Sequence, residues 1–196
     1  MKAVLDACVL FPTVLREILI GAAQRQLYVP VWSDRITAEW ARAAARLGAV
    51  QGEIADAEIA MLALDWPHAS VASDGTAATG VDWPDPADRH VAEAALAAGA
   101  SVIVTANLRD FPRRSLAALG LTAVHPDAFL TDLFHENPDD LTAIAVQVHR
   151  KATTLGSDIE FRALMSRARL PRLSKAILRH HPALAASANK SYPSGN

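Results

Sequence analysis

Cysteine is almost absent from this 196-residue sequence, which contains one, Cys8. A single cysteine excludes an internal disulfide and any zinc site that needs two thiolates, and it agrees with a reducing cytoplasm. Long apolar runs are absent too, so no membrane span is expected. The first residues, MKAVLDACVLFP, are interrupted by an acid and are interpreted as a strand and not as a signal peptide.

Acidic residues are scarce at the other end of the chain. Residues 150–196 contain nine Lys and Arg but only Asp158 and Glu160, whereas residues 1–126 contain 10 Lys and Arg against 14 Asp and Glu. An acidic front and a basic end fit a metal site beside a surface that attracts phosphate. A solvated helical face explains the basic end equally well.

Short apolar runs alternate with helical patterns in the first two thirds of the chain, which predicts a parallel sheet with helices on both faces. The predicted strands are residues 2–5, 27–32, 69–72, 101–105 and 121–124. The fold class is therefore α/β, as a three-layer α/β/α domain over residues 1–135. A helical extension is predicted over 136–181, and a disordered tail over 182–196.

Several acids lie where parallel strands end, which is the edge at which open α/β sheets bind ligands. Asp6 follows the first strand directly, and Asp110 follows the SVIVT strand within a few residues. Asp85 and Asp88 begin the helix before that strand, and Glu39 lies in the helix after LYVPVW. Convergence of these carboxylates would create a site for a hard divalent cation.

Most of these acids have a simpler explanation. Asp85 before Pro86 fits a helix N-cap, and Asp88 then supports that cap and the helix dipole, an explanation that the spacing alone favours. Asp110 fits a turn before Phe111-Pro112, and Glu39 fits an exposed helical acid paired with Arg35 or Arg42. Asp6 is the hardest to dismiss, because a charge at the end of a buried strand is costly unless something compensates it.

Four segments in the correct order resemble the PIN-domain ribonucleases, and among them VapC-like toxins of toxin–antitoxin pairs. These segments are VLDACVLFP, SDRITAEWAR, DPADRHVAEAALAAGASVIVTANLRDFP and LGLTAVHP. The resemblance implies a PIN-like fold and a catalytic metal site formed by Asp6, Glu39, Asp88 and Asp110. It gives Thr105 and Asn107 supporting roles, and Asp85 a capping or supporting role.

The resemblance also implies an activity. The family's members are Mg²⁺- or Mn²⁺-dependent ribonucleases that use one or two ions, are often homodimers, and, as toxins, are inhibited by a cognate antitoxin. The expectation is a metal-dependent endoribonuclease that cleaves RNA with a metal-activated water. Two alternatives stay open: an RNA-binding or structural PIN-like protein without a toxin role, and a DNA nuclease on the same fold.

Basic side chains near the acids are candidates for binding RNA phosphates. Arg109, Arg113 and Arg114 flank Asp110, and Arg16 lies on the helix after Asp6. Ordinary loop solvation is an equally good explanation for the first three. Cys8 is expected to be a small buried hydrophobe, and His90 is expected on a helix surface more than in the site.

Overall fold

A computed structural model of the protein describes residues 1–73, 75–156 and 158–186. Its centre is a sheet of four parallel strands in the order β2-β1-β3-β4. The strands are β1 (Lys2–Leu5), β2 (Val29–Val31), β3 (Val102–Val104) and β4 (Thr122–Val124). Helices flank this sheet, so the predicted α/β/α fold is confirmed.

The register of the sheet explains the apolar runs in the sequence. Val4 of β1 lies between Val31 and Ile103, and all three are at most 2% exposed, as continuous runs in parallel sheets usually are. Pro30 lies in edge strand β2, where a residue without an N–H is tolerated. The predicted strand at 69–72 is wrong, since the structure has there only a single bridge from Ser70.

Eleven α-helices lie in the described part of the chain, and their boundaries follow caps and prolines. They are α1 (Ala7–Leu10), α2 (Thr13–Gln24), α3 (Asp34–Ala45), α4 (Ala49–Asp65), α5 (Arg89–Ala98), α6 (Arg113–Ala118), α7 (Pro126–Glu136), α8 (Pro138–Thr154), α9 (Phe161–Arg167), α10 (Pro171–His180) and α11 (Ala183–Ala186). Pro12 separates α1 from α2, because proline has no backbone N–H with which to continue the hydrogen bonding of α1. None of these helices is long and apolar enough to cross a membrane.

The chain divides into two compact units. The first comprises residues 1–16 and 28–125, and the second comprises residues 17–27 and 126–196. The division falls ten residues before the predicted boundary at 135, because α7 packs with the later helices. The predicted disordered tail begins at 182, but Ala183–Ala186 form α11, and residues 187–196 lie outside the described residues.

Arg16 is a buried structural residue of the first unit, at 5% exposure. Its guanidinium donates to the carbonyl oxygens of Leu10 and Phe11 at 2.6 and 3.2 Å and forms an ion pair with Glu58 at 2.6 Å. The same group lies 4.4 Å from the centroid of the Trp40 ring. These contacts occupy the guanidinium, so the prediction that Arg16 binds RNA phosphates is wrong.

A buried carboxylate organises the second unit. Asp127, at 5% exposure, accepts hydrogen bonds from the backbone N–H groups of Arg172 and Leu173, both at 3.0 Å. These N–H groups lie in the first turn of α10, where the helix leaves donors unsatisfied and favours negative charge. Asp127 therefore ties α7 to α10 across 45 residues of sequence.

Candidate functional site

Asp6 lies at the point where the strand order of the sheet reverses. Strand β1 has β2 on one side and β3 on the other, so the chain continues from β1 in one direction and returns on the opposite side. The C-terminal ends of β1 and β3 therefore border the crevice in which such sheets bind ligands. Thr105 directly follows β3, and its hydroxyl donates to Asp6 Oδ2 at 2.7 Å. The first carboxylate of the candidate site is thus held by the residue that ends the neighbouring strand.

The Asp6 carboxylate is buried and held in one orientation. It is 8% exposed, and it also accepts a hydrogen bond from the Cys8 thiol at 3.1 Å. Burial and the Asp6 charge raise the pKa of Cys8 to about 12, so the thiol stays protonated and can donate. Although Asp6 is the N-cap residue of α1, its side chain makes no capping hydrogen bond. Its second oxygen therefore has no helix-capping role.

Thr105 connects this carboxylate to the loop that carries Asp110. The threonine is fully buried, and its hydroxyl accepts from the Asn107 backbone N–H at 3.0 Å. The Asp110 N–H in turn bonds the Asn107 carbonyl oxygen, within the 3₁₀ turn Leu108–Asp110. The Asn107 side chain is exposed, so its supporting role is not visible in these contacts.

Asp85 and Asp88 differ in their hydrogen bonding. Asp85 caps the 3₁₀ turn Pro86–Asp88 by accepting from the Ala87 N–H at 2.8 Å, which is the capping role predicted for it. Asp88 is the N-cap residue of α5, yet its side chain makes no capping hydrogen bond. The carboxylate of Asp88 therefore caps no helix, while its position at the N-terminus of α5 agrees with the predicted interaction with the helix dipole.

The remaining acids surround Asp88. Burial, followed by the charges of Asp110, Asp6, Asp85 and Glu39, raises the pKa of Asp88 to about 6. A shift of this kind occurs where like charges are close enough to oppose each other's ionisation. Strongly perturbed carboxyl groups in a crevice are typical of functional sites, although ion networks in structural positions also produce them.

Glu39 faces both the acids and a set of cations. Its Oε1 lies 3.6 Å from Arg35 and 3.9 Å from Arg42, the helical pairs that the simpler explanation predicts. Burial and the charge of Asp6 nevertheless raise the pKa of Glu39, although the charges of Arg35 and Arg42 oppose this shift. Arg35 also donates to the Ala87 carbonyl oxygen at 2.9 Å, which joins α3 to the turn that carries Asp88.

His90 is buried beside Glu39, so its predicted position on a helix surface is wrong. It is 5% exposed, and its Nε2 lies 3.0 Å from Glu39 Oε1, without a hydrogen bond at either ring nitrogen among the described residues. Burial and the charge of Arg35 lower the pKa of His90 to about 4, so the ring is neutral at pH 7. A buried ring with unsatisfied nitrogens beside a carboxylate is unusual outside functional sites.

The contact of Cys8 with Asp6 and the burial of His90 and Glu93 on α5 were not predicted from the sequence. Glu93 is 3% exposed on α5 and pairs with Arg89 at 3.0 Å, and Arg89 also reaches the Gly75 carbonyl oxygen. Cys8 lies two residues after Asp6, and that proximity was the available signal. The signal for the Arg89–Glu93 pair was its i, i+4 spacing on a predicted helix.

Arg109, Arg113 and Arg114 are exposed and lie within four residues of Asp110 in the sequence. They make no hydrogen bond or ion pair with other residues in the described ranges. They therefore stay available to a negatively charged ligand, and their predicted contacts with RNA phosphates stay a prediction.

The four acids fit a hard divalent cation in chemistry and charge. Carboxylate oxygens are the donors that such ions prefer, and a bound cation would offset the repulsion centred on Asp88. Among residues 1–73, 75–156 and 158–186, however, no three His, Cys, Asp or Glu side chains lie close enough to share an ion.

Residues 2–109, more than half of the chain, match the PIN domain, so the chain belongs to the PIN-domain family. It resembles VapC within that family: a relative is the protein named Putative ribonuclease VapC50 from Mycobacterium tuberculosis, which is 51% identical over 45 residues. The match covers 23% of this chain and 27% of that protein. No solved structure matches the chain significantly.

The raised pKa of Asp88 predicts a specific pH dependence of stability in the metal-free protein. The folded state favours the protonated form of Asp88. Its contribution to the free energy of unfolding is therefore complete below the ordinary pKa of 3.8 and is lost as the pH rises through about 6. In EDTA, the melting temperature of Asp88→Asn should therefore rise relative to that of the unmodified chain between about pH 4 and about pH 6, and the difference should then level off. A constant difference between the two melting curves across this range would contradict the electrostatic explanation.

Proposed function

We propose that this protein is a divalent-cation-dependent endoribonuclease whose metal would be held by Asp6, Glu39, Asp88 and Asp110. One observation carries the proposal: the carboxylate of Asp88 caps no helix and lies within the fields of the three other acids. A nuclease site needs such a concentration of negative charge to bind cations, and a structural role does not require it. The family membership supports the same conclusion.

Mg²⁺ or Mn²⁺, as one or two ions, would supply an electrophile that activates water and offsets charge at the phosphorus. The protein's own residues would orient the ligands: Thr105 and Cys8 fix Asp6, while neutral His90 borders Glu39. Arg109, Arg113 and Arg114 would bind RNA phosphates next to the site. The expected products are a 5′-phosphate and a 3′-hydroxyl.

The toxin role is a further proposal, and it rests on the relative named VapC50. It implies a cognate antitoxin protein, a cytoplasmic site of action and, as in many family members, a homodimer. A short neighbouring gene for a DNA-binding protein with an acidic and hydrophobic tail would support this role. Its absence would favour a nuclease outside any toxin–antitoxin pair.

Cleavage of labelled single-stranded RNA tests the enzymatic proposal. The chain should cut RNA in Mg²⁺ or Mn²⁺ and not in EDTA, and Asp110→Asn should lower the rate by more than about tenfold, since even partners that only support a metal ligand contribute 10–100-fold. Asp56→Asn removes the same charge from an exposed position on α4 and should cut normally.

Two results would favour the alternatives. Equal cutting of single-stranded RNA and of DNA flaps would indicate a DNA nuclease on this fold. RNA binding without cutting at any divalent-cation concentration would indicate a PIN-like binding protein and would overturn the enzymatic proposal.

A further inference from the structure

We propose that a groove between α9 and α10 binds the phosphate groups of a nucleic-acid backbone. The groove has a volume of about 680 Å³ and belongs entirely to the second unit. Three cationic side chains and two serine hydroxyls line it: Arg162, Lys175, Arg179, Ser166 and Ser174. It shares no residue with the acidic site described above.

The charge around this groove has one sign. Residues 161–186 contain six Lys and Arg and no Asp or Glu. Arg162, Lys175 and Arg179 are all exposed, and none of them pairs with an acid or makes a hydrogen bond in the described part of the chain. Cations that face one groove repel one another unless an anion lies between them, so the arrangement favours a polyanionic ligand.

Ser174 is an independent sign of a ligand at the same place. This serine is only 4% exposed, and its hydroxyl has no hydrogen-bond partner within the described residues. A buried hydroxyl without a partner destabilises the folded state, because it has lost water and gained nothing. A phosphate oxygen in the groove would accept from this hydroxyl, as serines commonly donate to nucleic-acid phosphates.

The geometry fits an extended backbone better than a single small anion. Lys175 and Arg179 lie one turn apart on α10, and Arg162 projects from α9 on the other wall. Leu178 and Pro171 add apolar surface to the groove. An acidic peptide could satisfy the same cations, and the choice of RNA over that peptide rests on the proposed ribonuclease function.

Binding of a labelled single-stranded RNA to the full chain, followed by fluorescence anisotropy in EDTA, tests the proposal without any cleavage. The double variant Lys175→Ala/Arg179→Ala should bind about tenfold or more weakly at low salt. The slope of log affinity against log salt should fall by roughly 1.4, at about 0.7 for each phosphate that is no longer neutralised. A matched control is Arg46→Ala/Arg150→Ala, which removes two exposed charges outside the groove and outside residues 161–186. The control should change the affinity by less than about threefold.

Ser174→Ala separates direct binding of the ligand from a structural role. It should weaken RNA binding by about threefold or more, as expected when one hydrogen bond to a phosphate is removed. The melting temperature should stay equal or rise, since alanine removes the unsatisfied hydroxyl and favours a helix. Unchanged RNA binding in Ser174→Ala, or equal losses in the groove and control double variants, would overturn the proposal. So would groove-dependent binding of an oligoglutamate peptide in place of RNA.

The outcome is independent of the acidic site. Loss of RNA binding in the groove variants supports the groove even if the chain cuts no RNA in any cation. Conversely, the RNA-binding groove would be rejected and the proposed ribonuclease function kept if Asp110→Asn abolishes cation-dependent cleavage while the groove variants bind RNA normally.

Discussion

Asp6→Asn is expected to slow cation-dependent RNA cleavage by more than about a hundredfold while the chain stays folded. The carboxylate is buried, fixed by Thr105 and Cys8, and placed at the reversal point of the sheet, where the proposed metal site needs its charge. Asparagine keeps the shape and can still accept from the Thr105 hydroxyl, but it removes the charge. The rate of cleavage of labelled RNA measures the loss of activity, and a thermal melt of the same variant shows that it is folded.

Thr105→Val and Thr105→Ser extend this experiment to the positioning of Asp6. Valine has the same shape without the hydroxyl, and it should lower the cleavage rate by roughly 10–100-fold and raise the cation concentration needed for half activity. Serine restores the donor and should recover most of the activity. If Asp6→Asn cuts as fast as the unmodified chain, the four-acid site is wrong; if only Thr105→Val is silent, Asp6 is oriented by other contacts.

The second large effect is on stability and concerns Arg16. Arg16→Met should lower the free energy of unfolding by about 2–4 kcal/mol, because two backbone carbonyls and Glu58 lose their buried partner. For a chain of this length that corresponds to a fall in melting temperature of roughly 5–15 °C. Methionine keeps most of the side-chain volume, so the loss measures polar contacts and not a cavity.

Arg46→Met is the matched control, since Arg46 is exposed at the end of α3. It should change the melting temperature little, because exposed substitutions away from special features have small effects. RNA affinity at a temperature where both variants are folded should equal that of the unmodified chain. Weaker RNA binding by Arg16→Met with an unchanged melting temperature would restore the rejected role of Arg16 as a phosphate ligand.

The fold was largely predictable because its signals are local. Continuous apolar runs such as SVIVT identify buried parallel strands, and Pro30 identifies an edge strand, since each follows from hydrogen bonding and burial over a few residues. Parallel connection then places Asp6 and the loop of Asp110 at one edge. The boundary between the units was less predictable, because it depends on how α7 packs and not on any break in composition.

The nearness of these acids to one another was predictable from the sequence, but their surroundings were not. Spacing alone could not decide whether Asp88 caps a helix, and the answer depended on a 3₁₀ turn that lets Asp85 take the capping role. The burial of Arg16 and His90 depends on packing between residues far apart in sequence. Arg16 was therefore predicted to bind phosphate from its charge alone, although its side chain lies in the core.

The central position of β1 has a consequence for synthesis of the chain. Asp6 and Thr105 are 99 residues apart, so the ribosome needs roughly 5–20 s to add the partner that completes β1 and its carboxylate. Until then one edge of β1 is open to unwanted pairing, and the acids of the site are scattered along a growing polypeptide. A nascent chain shorter than about 110 residues thus has no assembled cluster, whatever cations surround it.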